Sequence, residues 1–141
     1  MVVTIQIRKF KVTDLLAVLE LFDPNKLSAY SASLDAGGGQ INELEGSGYV
    51  MVLEKTGEVV GYCQAVIFER VTGFRVATIE DVVVHKDFRN LGYGSNLVVQ
   101  VIKSLQLNGV TKVLLACDEE LVQWYSVLGF LENGVSMKIY L

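Results

Sequence analysis

Hydrophobic and polar positions change rhythm several times along the chain. Residues 3 to 8, Val-Thr-Ile-Gln-Ile-Arg, alternate with the period of two that marks a half-buried strand. A short amphipathic helix is expected next, with Thr13 or Asp14 as its cap and Leu15, Leu16, Val18, Leu19 and Leu21 as its apolar face. From Phe22 to Gly48 the rhythm lapses. That stretch holds the only proline, Pro24, and the run Gly37, Gly38 and Gly39, and it reads as a mobile loop with room for one helical turn.

From Tyr49 the texture is that of strands. Tyr49 to Glu54 and Val59 to Phe68 flank a Lys-Thr-Gly-Glu turn, and a Val-Thr-Gly-Phe turn leads into Arg75 to Val84, so three strands form an antiparallel meander. Gly94 to Leu107 then carries apolar residues at 97, 98, 101, 102 and 105, one face of a helix, with Asn108 and Gly109 as its stop. Lys112 to Cys117 reads as a buried strand reached by a right-handed parallel crossover. A second helix, Glu119 to Leu128, is capped by Asp118 and ended by Gly129; two short strands around Asn133-Gly134 close the chain. The pattern predicts one domain over residues 1–141, of the α/β (α+β) class, with a mixed, mostly antiparallel sheet flanked by helices.

Composition narrows the setting. At 141 residues, 51 % hydrophobic and 20 % charged, with a mean hydropathy of +0.40, the chain can bury a generous core. No apolar run approaches the roughly 20 residues that span a bilayer, and the N-terminus lacks the order of a signal peptide. A cytoplasmic protein with no membrane partner is expected. A formal net charge of -4 and a pI of about 5.0 argue against nucleic acid as a partner. Cys63 and Cys117 sit far apart in apolar runs and read as core thiols; His85, the only histidine, reads as a surface loop residue, and no metal is expected.

The chemistry gathers between Glu80 and Leu97. A helix N-terminus presents unsatisfied N–H groups and the positive end of the macrodipole, so it can hold a phosphate without a basic surface around it. Gly92 and Gly94 let the backbone approach an anion, and Arg89 can add a charge-assisted bond. By itself a Gly-x-Gly is more often merely a tight strand-to-helix turn. A Walker loop is absent, and Leu97 stands where a dinucleotide turn needs its third glycine.

Arg89-Asn90-Leu91-Gly92-Tyr93-Gly94, following a strand and opening a helix, resembles the Arg/Gln-x-x-Gly-x-Gly/Ala acetyl-CoA signature of the GNAT N-acetyltransferases. Ile79 to Val84 and Cys117 to Phe130 are similar to the matching segments of eukaryotic-type glucosamine 6-phosphate N-acetyltransferases, with Trp124-Tyr125 where that subfamily has Phe-Tyr. The resemblance covers about residue 48 to the end. It implies the GNAT fold and acetyl transfer from acetyl-CoA to a primary amine, with glucosamine 6-phosphate as the leading acceptor. Another small amine, a protein amine, or a non-catalytic acyl-CoA sensor are the alternatives.

The resemblance also implies roles. Backbone groups of Val82, Val83 and Val84 would hold pantetheine, and amides of Arg89, Asn90, Leu91, Gly92, Tyr93, Gly94 and Ser95 the pyrophosphate. Tyr125 would protonate the leaving thiolate, although its spacing to Leu121, Val122 and Leu128 also suits a core tyrosine. Glu80 is the expected base or water-orienting group, and Asp81 a substrate-binding or structural acid; as strand neighbours only one should face the cleft, and solvated strand-end acids are the plain alternative. Trp124 reads as packing. The chain departs from the subfamily at Ala116, Leu121 and Tyr140, where that group has an acid, an asparagine and an arginine, which concentrates the question on the acceptor. Relatives of this kind are homodimers whose C-terminal strands reach the partner's site, so a homodimer is expected.

Overall fold

A computed structural model describes residues 3–27 and 42–141. The expected loop around Gly37, Gly38 and Gly39 lies outside the described residues. Five strands form one sheet in the order β1 (Ile5–Lys9), β2 (Gly48–Leu53), β3 (Val59–Glu69), β4 (Arg75–Val84) and β5 (Val110–Leu114). The first four are antiparallel in sequence order, and β5 lies parallel to β4, as a meander followed by a crossover requires. The crossover is α3 (Tyr93–Leu107); shorter helices are α1 (Leu15–Leu19), α2 (Asn42–Ser47) and α4 (Val122–Val127). No helix among the described residues is long and apolar enough to cross a membrane.

The helical period of α3 puts Leu97, Val98, Val101 and Leu105 on one stripe, and all four are buried against Met51, Val60, Cys63, Ala65 and Ala77. Asn108 ends the helix by donating its side-chain amide to the Ser104 carbonyl, and Gly109 follows with φ of 79°. On the other face α1 packs Leu15 and Val18 with Phe10, Leu21, Val50, Val52 and Tyr62. Five residues cannot sustain a helix alone, so α1 depends on this packing.

Asp14 serves α1 differently from the expected cap. Its buried carboxylate takes two bonds from the Arg8 guanidinium, at 2.8 and 2.9 Å, and one from the Lys11 N–H. The pair fastens the start of α1 to β1, and the Arg8 bonds hold the Asp14 carboxyl below the usual aspartate range. Asp118 likewise makes no side-chain cap bond, and the last helix opens as a 3-10 turn, Glu119–Leu121.

Two further expectations are corrected. The segment from residue 131 to 141 forms no strand, although Gly134 does turn with φ of 74°. Two short strands with no third strand or helix to pack on are marginal in water. Cys117 is exposed, because β5 ends at Leu114 and the chain has left the sheet before reaching it; Cys63 is buried as expected.

Candidate active site

The sheet comes apart at one place. β4 and β5 pair from Arg75 to Thr78, the last partners being Thr78 and Leu114, while β4 runs on to Val84 beside β3 alone. Leu115, Ala116, Cys117 and Asp118 diverge from it, and with α1 and α4 they wall a cleft of about 880 Å³. Strand alternation decides which backbone groups face the gap. The His85 N–H donates to the Val60 carbonyl on β3, so the amide groups of Val84 point off the opposite side of the strand.

A bulge adjusts the same strand. Glu80 is paired with Gln64 and Val83 with Tyr62, which leaves Asp81 and Val82 opposite the single residue Cys63, and Asp81 takes φ of 55°. A left-handed aspartate is an uncommon, strained conformation that persists when the surroundings hold it. The extra residue breaks the alternation of the strand. Glu80 and Asp81 therefore both line the cleft, against the expectation that only one would. Val82 and Val83 line it as well.

The glycine turn stands at the end of β4. Arg89 donates Nε–H to the Val84 carbonyl at 2.9 Å and reaches the cleft. Asn90 and Gly92 adopt left-handed conformations, φ 60° and 84°, and Gly92 precedes α3 as its cap residue without a side-chain bond. The first-turn N–H groups of Tyr93, Gly94 and Ser95 thus have no capping side chain to satisfy them. Asn90, Leu91, Gly92, Tyr93, Gly94 and Ser95 lie beyond the cleft lining, at the end of the strand. His85 helps build the bend: its Nδ1 accepts the Asp87 N–H, and its ring packs edge-on to Phe88, which in turn meets Tyr93.

Tyr125 closes the far wall. It is 8 % exposed, lines the cleft, and is gripped edge-on by Trp124 at 4.7 Å and Phe130 at 5.7 Å. Burial pushes its phenol above the usual tyrosine value, with nearby Cys117 and Cys63 acting in the same direction, so it is a protonated donor at neutral pH. Cys63, opposite the bulge, is pushed up to about 12 by burial and is an inert thiol.

Sequence reasoning overlooked Gln64 and Asp23, which also line the cleft. Gln64 was within reach of it. The turn between β3 and β4 pairs Glu69 with Arg75, and the register then runs without a break to Gln64 opposite Glu80. Gln64 donates to the Ser47 hydroxyl at 3.1 Å, tying the cleft to the end of α2.

The model of the acetyltransferase (GNAT) family matches residues 15–130. The chain belongs to the GNAT family. A probable glucosamine 6-phosphate N-acetyltransferase of Oryza sativa subsp. japonica is 40 % identical over 68 residues, 48 % of this chain and 41 % of the relative. A glucosamine 6-phosphate N-acetyltransferase of Trypanosoma brucei brucei is 32 % identical over 88 residues, 61 % of this chain and 60 % of the relative. These alignments span less than two thirds of either relative's own length. The crystal structure of an acetyltransferase from Trypanosoma brucei superposes with a TM-score of 0.80 at 26 % identity, covering 98 % of this chain and 100 % of that chain. The GNAT fold expected from the glycine turn is thus the fold of the protein.

Proposed function

We propose that this GNAT protein is an acetyl-CoA-dependent N-acetyltransferase that passes the acetyl group directly to a primary amine. The observation that carries the reading is the parting of β4 from β5 beyond Thr78, with Glu80 to Val83, Arg89 and Tyr125 all on the cleft that results. The side of β4 turned from β3, at Val82 and the Val84 N–H, suits the amides of pantetheine, the Val84 carbonyl being taken by Arg89, and the uncapped turn from Arg89 to Ser95 suits a pyrophosphate.

Glu80 takes the proton that an ammonium must lose before its nitrogen can attack, directly or through one water, and Asp81 draws the ammonium into the cleft. The nitrogen forms its bond to the thioester carbon, the carbon–sulfur bond breaks, Tyr125 gives its phenolic proton to the departing sulfur, and the second proton shed by the acylated nitrogen returns through water to the Tyr125 phenolate. Raised above the ordinary tyrosine value, that phenol holds its proton until it is needed.

Glucosamine 6-phosphate is the first acceptor to test, because three relatives carry that name. A second reading rests on charge. Asp23, Glu80, Asp81 and Asp118 line the cleft, and Arg89, at its pyrophosphate end, is the only Lys, Arg or His among the described lining residues. That balance favours a small amine without a phosphate. Thermal melting with acetyl-CoA, followed by thiol release across an amine panel that includes glucosamine 6-phosphate, tests both. No thermal shift at saturating acetyl-CoA would overturn cofactor binding. A shift without thiol release from any amine would favour the sensor.

A homodimer is part of the proposal. Leu131, Val135, Met137, Ile139 and Leu141 are each at least 82 % exposed, and β5 is an edge strand with one open side. An exposed apolar arm beside an open edge suits strand addition between two copies. Light scattering of the chain with and without residues 131–141 tests it, with a monomer expected after truncation.

A further inference from the structure

Trp124 touches both parts of the proposed machinery. A methyl group built onto Gly94 would stand 3.3 Å from Cζ2 and 3.8 Å from Cη2 of the indole, and 3.5 Å from a Val84 methyl. The indole edge, the second residue of α3 and the last residue of β4 therefore meet at one point, and a side chain on residue 94 would press on the ring by a few tenths of an ångström. The same indole meets the Tyr125 ring edge-on, with planes 86° apart, while Phe130 holds Tyr125 at 80° from another direction.

The helix that carries this pair is short and is held by packing, with Leu128 and Phe130 resting on the core beside Trp124. α4 is six residues long, and its cap residue Leu121 makes no side-chain bond. A helix this short takes its position from what it packs against. Successive residues point about 100° apart around a helix, so Tyr125 can face the cleft while Trp124 faces the glycine turn. The seat of the indole on Gly94 and Val84 then sets the height and rotation at which Tyr125 enters the cleft.

We infer that Trp124 is the positioning residue for Tyr125, keying the phenol to the glycine turn so that the proton donor and the phosphate anchor hold a common register. The inference rests on the acetyltransferase reading. It extends that reading by assigning a task to a side chain whose spacing marks it only as packing. The spacing between sulfur and pyrophosphate in the cofactor is limited by its own covalent reach. A protein that anchors one end on the turn needs its acid at a matching distance, and Trp124 is the contact that spans the two.

Trp124 is the only tryptophan in the chain, so its emission reads this seat without interference. The test compares the wild type with Trp124→Leu, Tyr125→Phe, the double variant and Trp124→Phe, following thiol release with an accepted amine, and titrates the wild type's fluorescence with CoA alone. Trp124→Leu should lower kcat on the order of 10- to 100-fold, the scale of a misplaced catalytic group, with a smaller change in the acetyl-CoA KM. In the Tyr125→Phe background the same change should cost little further, and Trp124→Phe should recover most of kcat. CoA should shift or quench the emission. Losses that multiply in the double variant, or a Trp124→Leu effect confined to KM, would overturn the positioning role while leaving acetyl transfer intact. Should Trp124→Leu not fold, wild-type tryptophan emission that stays unchanged at saturating CoA would overturn it equally. A wild type that melts higher with acetyl-CoA yet releases no thiol from any amine would instead refute the acetyltransferase reading.

Discussion

Beneath α3 the sheet is closed: Leu97, Val98, Val101 and Leu105 meet Met51, Val60, Cys63 and Ala77, all of them nearly or fully shielded from solvent. Across the sheet the five-residue α1 covers less. Phe10, Leu15, Val18, Leu21 and Tyr62 are buried there too, yet they also border the cleft. Both faces follow from the same apolar alternation, and they differ in the element that covers them. Among the described residues, a four-turn helix closes one side, whereas on the other a short helix held by Phe10, the Arg8–Asp14 pair and the β1 edge borders the cleft. One face is thus packed shut under α3, while the residues buried on the other also border the cleft.

The sharpest way to break that division is a cavity on each side. Leu97→Ala should cost about 2–5 kcal/mol in a urea titration, since the closed face cannot relax around the lost methyls. Leu21→Ala should fall at or below the low end of that range, because its space opens into the cleft and water can enter. Equal losses would mean that the two faces are equally closed.

Next in size is Tyr125→Phe, which keeps the ring packing and removes the proposed proton donor. It should lower kcat on the order of 100-fold with little change in melting temperature. Burial raises the phenol's pKa, so any activity that needs its proton should persist to a pH above the ordinary tyrosine value of about 10 before falling. A Tyr125→Phe enzyme should lose that alkaline limb.

Asp14 tests what secures α1. Its folded pKa is depressed chiefly by the Arg8 bonds, so its contribution is fully present above the unfolded value of about 3.9 and disappears as pH falls from there through the folded value. Asp14→Ala should cost about 1–3 kcal/mol near neutrality, with a shallower loss of stability in acid. Urea midpoints at both pH values would measure it. The smallest effect is expected at Gly92, whose φ of 84° an alanine would adopt at a cost of about 1–2 kcal/mol. Its signature is a reduced thermal shift with acetyl-CoA, separating the turn's binding role from core stability.

Much of the architecture was legible because its signals are local. The meander, α3 and its Asn108-Gly109 stop follow from periodicity and turn residues, and the Arg89 to Gly94 string pointed to the family. Elements whose partners lie elsewhere were less legible. Asn133-Gly134 carries a turn signature, and Gly134 does turn, but no strand in the described chain pairs with the segment beyond it. Cys117 looked like core because its run is apolar, yet β5 stops three residues earlier. Asp14 looked like a cap, and Arg8 across the turn claimed its carboxylate first.

The sequence by itself determined the order of the meander, α3 and β5, the glycine turn that opens α3, and with it membership of the GNAT family. These rest on backbone preference and side-chain period, which each segment carries within itself. Tertiary structure alone decided that β4 parts from β5 after Thr78, that a bulge at Asp81 turns both Glu80 and Asp81 toward the cleft, and that Trp124 rests on Gly94 beside Tyr125. A bulge or a split ladder arises from competition among neighbouring strands and the helices packed on them. No single segment records the outcome of that competition, and the site is assembled where it is resolved.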